Sequence, residues 1–176
     1  MTSPLPRLSL AMDTKRTQHV LTSQALTKLS QIADILDTPP ISDFHDPAVQ
    51  EQLAQTDILL TGWGCPEIGV RELASMPRLR LISHAAGTVK YFLSRAVFDR
   101  GITVCSAAEA NAQPVAEFSL AMILLAGKRT FSFRRLYLEH RGRAPVERLQ
   151  AQAIGNLGRT VGIVGASRIG RRVISL

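Results

Sequence analysis

Cysteine is scarce in this 176-residue sequence. Cys65 and Cys105 stand far apart, with no C-x-x-C pair and no histidine at metal-ligand spacing. A disulfide-framed scaffold and a metal site are therefore not expected, and free thiols in a reducing compartment are. Long apolar runs are missing too. The greasiest stretch, VAEFSLAMILLAG, is interrupted by Glu117 and falls short of the ~18 apolar residues that a membrane span needs. No charged leader followed by an apolar core marks the N-terminus, so the expectation is a cytoplasmic protein without membrane contact. Repeats and low-complexity tracts are absent. With 45% hydrophobic and 20% charged residues, the chain has the composition of a folded protein large enough for one full core and part of a second, which excludes disorder.

Acid is scarce in one region only. Residues 1–127 carry 10 basic and 12 acidic groups, whereas 128–176 carry 11 and 2, so the whole net charge of +7 is C-terminal. The segment KRTFSFRRLYLEHRGR could offer a phosphate-binding face, and DNA affinity falling steeply with salt would be its signature. Arginines at helical spacing are more commonly a solvated surface, and nucleic acid is not the expected partner.

What is present is an alternation of strand and helix signals. RLSLAM and ADIL read as strands around a helical TQHVLTSQALTKL. A turn at DTPPISDFHDP leads to a helix through AVQEQLAQ and then to DILLTGW, whose length suits a buried parallel strand. CPEIGVRELASM reads as helix with Pro66 near its start, RLRLIS as strand, YFLSRAVFDR as helix ended by Gly101, and ITVCS as strand. Five strands separated by helices predict an α/β fold with a parallel sheet covered on both faces, because parallel strands need crossover connections.

Next comes AEANAQPVAEFSLAMILLAGKR, a long helix with Asn111 as its expected N-cap and Pro114 in its first turn. Its apolar residues surround the axis, so burial on most sides, between two lobes, is expected. An arginine-rich segment then leads to a strand TVGIV, the turn GASRIG and the opening of a helix. In that turn Gly165 and Gly170 stand where the dinucleotide fingerprint G-x-G-x-x-G has its first and third glycines, and Ser167 occupies the middle position. The first glycine permits the tight bend, a small middle residue lets backbone N–H groups approach a pyrophosphate, and the third permits close packing of helix on strand. The serine hydroxyl could itself donate to phosphate at the positive end of the helix. A plain βα turn without ligand is the competing reading of these residues.

LRLISHAAGTVKYFLSRAVFDRGITVCSAAEANAQPVAEFSLAMILLAGKR, followed by LGRTVGIVGASRIGRRV, resembles the D-isomer-specific 2-hydroxyacid dehydrogenases. The resemblance implies a flavodoxin-like substrate domain over residues 1–110. Residues 111–176 would then hold a linking helix and the start of a Rossmann NAD(P)-binding domain. It implies that Ala85, Ala86 and Gly87 match the loop that presents N–H groups to the substrate carboxylate, and that the backbone of Arg168 and Ile169 meets the pyrophosphate held by Gly165, Ser167 and Gly170. Neutral donors bind a carboxylate without neutralising it. The implied activity is hydride transfer between NAD, or NADP, and a small 2-oxo or 2-hydroxy acid, in a homodimer.

In that family an arginine, a histidine acid/base and its acidic partner carry the chemistry. All three match positions beyond the equivalent of Leu176, so no catalytic residue is assigned within 1–176 and the chain by itself is expected to be inactive. His19, His45, His84 and His140 match none of them. His84 precedes the substrate loop, but lacks an identifiable carboxylate partner and reads as structural or solvent-facing. The alternative function is a dinucleotide-sensing module of the same architecture that regulates without turnover.

Overall fold

The computed structural model describes residues 4–36 and 39–176. It shows two compact units, Met1–Ala108 and Glu109–Leu176. In the first, strands β1 (Arg7–Ala11), β2 (Asp34–Ile35), β3 (Ile58–Thr61), β4 (Leu81–His84) and β5 (Thr103–Ser106) form one parallel sheet in the order β2-β1-β3-β4-β5. All five predicted strands are present, and this order is the flavodoxin-like one.

Period-two alternation along the strands separates two cores. Ala11 and Leu59 lie in a cluster with Phe44, Leu53, Ile82 and Val97, whereas Leu8, Leu10, Met12 and Leu60 join Leu21 and Ala33 in another. Adjacent positions Leu59 and Leu60 thus serve opposite faces, so the sheet is covered on both sides as predicted.

The helices are shorter than their sequence signals. The segment TQHVLTSQALTKL divides into α1 (Thr14–Val20) and α2 (Ser23–Ser30), because Thr22 turns out of the helix and caps the second piece, its hydroxyl accepting from Ala25 N. A 3₁₀ turn, Pro47–Val49, precedes α3 (Gln50–Gln55). Two further helices, α4 (Val70–Ser75) and α5 (Arg95–Asp99), both begin late for one reason. Ile68 pairs with Leu93 in an isolated parallel bridge, with Ile68 N donating to Phe92 O and Ser94 N to Ile68 O, so Ile68 and Leu93 are held out of their helices, and Tyr91 and Phe92 lie in the turn that Val89 O closes. The turn predicted over DTPPISDFHDP includes Asp37 and Thr38, which lie outside the described residues.

At the start of β3, Asp57 is nearly buried and anchors the edge of the sheet. Burial raises its pKa, but Arg7 N–H, at 2.9 Å, and the Arg78 guanidinium, at 3.1 Å, outweigh it and hold the carboxyl below its ordinary value.

The second unit holds α6 (Ala108–Gly127), α7 (Thr130–His140), α8 (Ala144–Gln150) and α9 (Arg168–Ser175). Three expectations are corrected here. Asn111 is not an N-cap, since α6 starts three positions earlier, and Pro114 lies inside the helix rather than in its first turn. Nor is α6 buried on most sides: Phe118 is 66% exposed, and Leu124 and Leu125 are exposed too. Finally, TVGIV is not a strand, and Val161 and Val164 stand open to solvent. A strand exists only through its ladder, and no other strand lies among residues 109–176 to pair with it.

Cys65 and Cys105 are free thiols, and burial pushes Cys65 up to about 12. No helix among the described residues is long and apolar enough to cross a membrane.

Candidate functional site

Parallel strands end at a common edge, so the turns that follow them gather there. After β1 and β3, Asp13 N donates to Trp63 O at 2.9 Å, and Gly62 N donates to Ala11 O. Gly64 has a φ of +81°, and a Cβ on it would come within 2.7 Å of Asp13 Cβ, so this crossing of two turns requires glycine. Ala85, Ala86 and Gly87 form the bend after β4 at this same edge. Ala85 N–H is already spent on Thr61 O at 2.8 Å, which removes it from the set of donors that the sequence assigned to a carboxylate. Ala86 and Gly87 donate to no acceptor among the described residues. Two adjacent unpaired N–H groups suffice to hold one carboxylate oxygen pair without cancelling its charge.

The residue that positions this bend is His84. It is 5% exposed, Thr61 Oγ1 and His84 Nδ1 share a hydrogen bond of 2.9 Å, and its ring lies tilted against Phe92 with centroids 4.9 Å apart. Ala107 N donates to its carbonyl. It is thus a buried strut, not a solvent-facing side chain. Burial lowers its pKa below the ordinary 6.5, so the folded protein takes up this proton at lower pH than the unfolded chain does. The unfolded state then binds more protons as pH falls below about 6.5, and stability is lost in that direction. Thermal midpoints measured from pH 7.5 to 5 are expected to fall for the native protein and to fall less steeply for His84→Gln.

The second unit holds the glycine turn. Gly165 has a φ of +95°, which disfavours any side chain, and a Cβ on Gly170 would overlap the Gly165 carbonyl oxygen. Both glycines are therefore required by the turn's own geometry. Ser167 is the N-cap of α9, but its side chain makes no capping bond. Arg171 N donates to Ser167 O at 2.9 Å, whereas Arg168 and Ile169 N–H have no acceptor among the described residues. Unpaired donors at the positive end of a helix are the chemistry of an anion cradle. Ile169 and Ser167 also line a cavity of about 470 Å³ with Phe118, Met122 and Val164.

Sequence reasoning missed what fixes α9. Glu109 on α6 takes Arg168 Nε at 3.2 Å and Arg172 Nη2 at 2.5 Å, and Gln113, one turn on, accepts from Arg172 Nη1 at 2.9 Å. The signal available was Glu109 and Gln113 at i,i+4 on one helix face. Ala85, Ala86 and Gly87 thus lie together in the first unit, and Gly165, Ser167, Arg168, Ile169 and Gly170 together in the second.

Comparison of the fold with solved structures finds oxidoreductases. A phosphoglycerate oxidoreductase from Rhizobium etli matches with a TM-score of 0.64 and 21% identity, covering 97% of this chain and 51% of that one. An NADPH-dependent glyoxylate/hydroxypyruvate reductase from Sinorhizobium meliloti, solved with NADP and malonate, matches at 0.61 and 18%, covering 97% and 49%. An NAD-dependent formate dehydrogenase from Staphylococcus aureus, solved with NAD, matches at 0.60 and 19%, covering 97% and 51%. The chain has the fold of about half of such an oxidoreductase. No protein-family model and no curated protein sequence matches it.

Proposed function

We propose that this chain supplies the acid-binding lobe and the pyrophosphate-binding turn of a nicotinamide-dependent 2-hydroxyacid dehydrogenase. Residues 1–110 form the lobe that takes a small 2-oxo or 2-hydroxy acid, and 111–176 form the linking helix and the start of the cofactor domain. NAD is the assigned cofactor, with NADP as the other choice. The homodimer and the cytoplasmic setting belong to the same proposal, and rest on the family resemblance and on the free thiols.

The observation that carries this reading is the turn itself: Gly165 at positive φ, Gly170 against its carbonyl, and unpaired N–H groups at Arg168 and Ile169. Each of these features is one that a pyrophosphate at a helix N-terminus calls for. The cofactor, when bound, would supply or accept the hydride. This chain's residues hold and orient: Arg168 and Ile169 N–H at the pyrophosphate, Ala86 and Gly87 N–H at the substrate carboxylate, with His84 and Thr61 fixing the bend. The fold likeness runs to proteins named for turnover, so a purely sensing module is not favoured.

A valine at Gly87 tests the substrate half. Its side chain blocks approach of the loop backbone, so in the enzyme bearing the arginine, histidine and acid set, KM for glyoxylate or hydroxypyruvate rises by about tenfold or more. The thermal midpoint changes little. Unchanged kinetics would place the substrate elsewhere.

A further inference from the structure

We propose that the opposite, N-terminal edge of the sheet carries a binding site for a small dianion of the phosphate class, formed by Arg7, Arg78 and Arg80 around Asp57. These residues, with Pro4–Pro6, line a cavity of about 420 Å³. The strand register builds it. Leu8, Ile58 and Leu81 are neighbours across β1, β3 and β4, so Arg7, Asp57 and Arg80, one residue before each, stand in a row. Their backbones are fixed by ladder bonds from Asp57 N to Arg7 O, Arg80 N to Asp57 O and Thr103 N to Arg80 O.

The charges in this row do not balance. Residues 1–108 carry ten basic and ten acidic side chains, so the unit is neutral by formal charge. This cavity nevertheless collects three arginines and one aspartate. Asp57 is fully used: Oδ2 accepts from Arg7 N and Arg78 Nη2, and Oδ1 from Arg78 Nε and Nη2. It neutralises one guanidinium. That of Arg7 donates to Gln55, whose amide is uncharged, and that of Arg80 has no hydrogen-bond partner among the described residues. Two positive charges are left facing one cavity.

Arginines at this end of a parallel α/β unit ordinarily cap helix C-termini. Here Arg100 does that work for α4, donating to Leu73 O, Met76 O and Pro77 O at 2.6, 2.9 and 2.8 Å. Arg78 and Arg80 are therefore not needed there. Planar guanidinium forks match a phosphate group, and two uncompensated charges match its dianion. The edge is the one opposite to Ala85–Gly87, so occupancy is separate from the 2-oxo acid and does not depend on the proposed function.

The test titrates the purified protein with inorganic phosphate and with glycerol phosphate at constant ionic strength, read by calorimetry and by thermal midpoint. Saturable binding is expected, weakened about tenfold or more in Arg80→Gln and unchanged in Arg95→Gln, whose guanidinium pairs with Asp99 on an exposed helix. Arg80→Lys, which keeps the charge and loses the fork, should bind with intermediate affinity. Tighter binding of glycerol phosphate identifies a phosphorylated metabolite as the ligand, and equal binding identifies free phosphate. The absence of saturable binding to either probe, or binding by Arg80→Gln equal to the native protein, overturns the proposal. The phosphate-free midpoint of each variant shows that it is folded.

Discussion

Gly170→Val should abolish measurable dinucleotide binding and destabilise the second unit. A Cβ at this position meets the Gly165 carbonyl oxygen and carbon, both backbone atoms that cannot swing aside as a side-chain end would. The helix start must therefore move away from the turn, at a cost of roughly 1–3 kcal/mol for an overpacked contact. The unpaired Arg168 and Ile169 N–H groups move with it. Alanine should do nearly the same, since the collision begins at Cβ. Thermal unfolding together with NADH titration checks both effects. A Gly170→Val protein with native affinity would show that the turn does not hold the cofactor.

Leu59→Ala should severely damage the first unit, costing about 2–5 kcal/mol as a large-to-small change at a fully buried site. Leu59 lies on β3, between Ser9 of β1 and Ile82 of β4, so neither neighbour can move to fill the gap without breaking ladder bonds. Ile32→Ala, at a position 66% exposed, is the matched control and should cost well under ~1 kcal/mol. Urea unfolding of both variants measures the contrast. Similar midpoints for the two would contradict the placement of the core.

The strands were legible from length and flanks: DILLTGW is a short apolar run and RLRLIS alternates arginine with leucine before its apolar end, each bounded by turn residues and too short for a helix. The helix boundaries were not, because a tertiary contact decided them. Nothing local in CPEIGVRELASM announces that Ile68 will pair with Leu93 and delay α4 to Val70. TVGIV failed for the converse reason, since its β-branched residues favour a strand but no partner strand lies in its unit. At the candidate site, Gly165 and Gly170 were readable as backbone demands. The loss of Ala85 as a donor depends on Thr61, far away in sequence, and no spacing rule contains it. Asp57 and its arginines were likewise invisible as a group, because strand register, not sequence proximity, brings Arg7, Asp57 and Arg80 into one row.

The most direct measurement of the central claim is an NADH titration of the native protein, Ser167→Gly and Ser167→Leu, followed by nicotinamide fluorescence. Ser167 is exposed, and its side chain makes no capping bond in α9. Stability should therefore hardly change in either variant. If the turn cradles pyrophosphate, glycine restores the unhindered backbone of the fingerprint and binds as tightly as serine or more tightly, while leucine weakens binding at least about tenfold. Equal dissociation constants for the serine and leucine proteins, or no NADH binding by any of the three, would contradict the account.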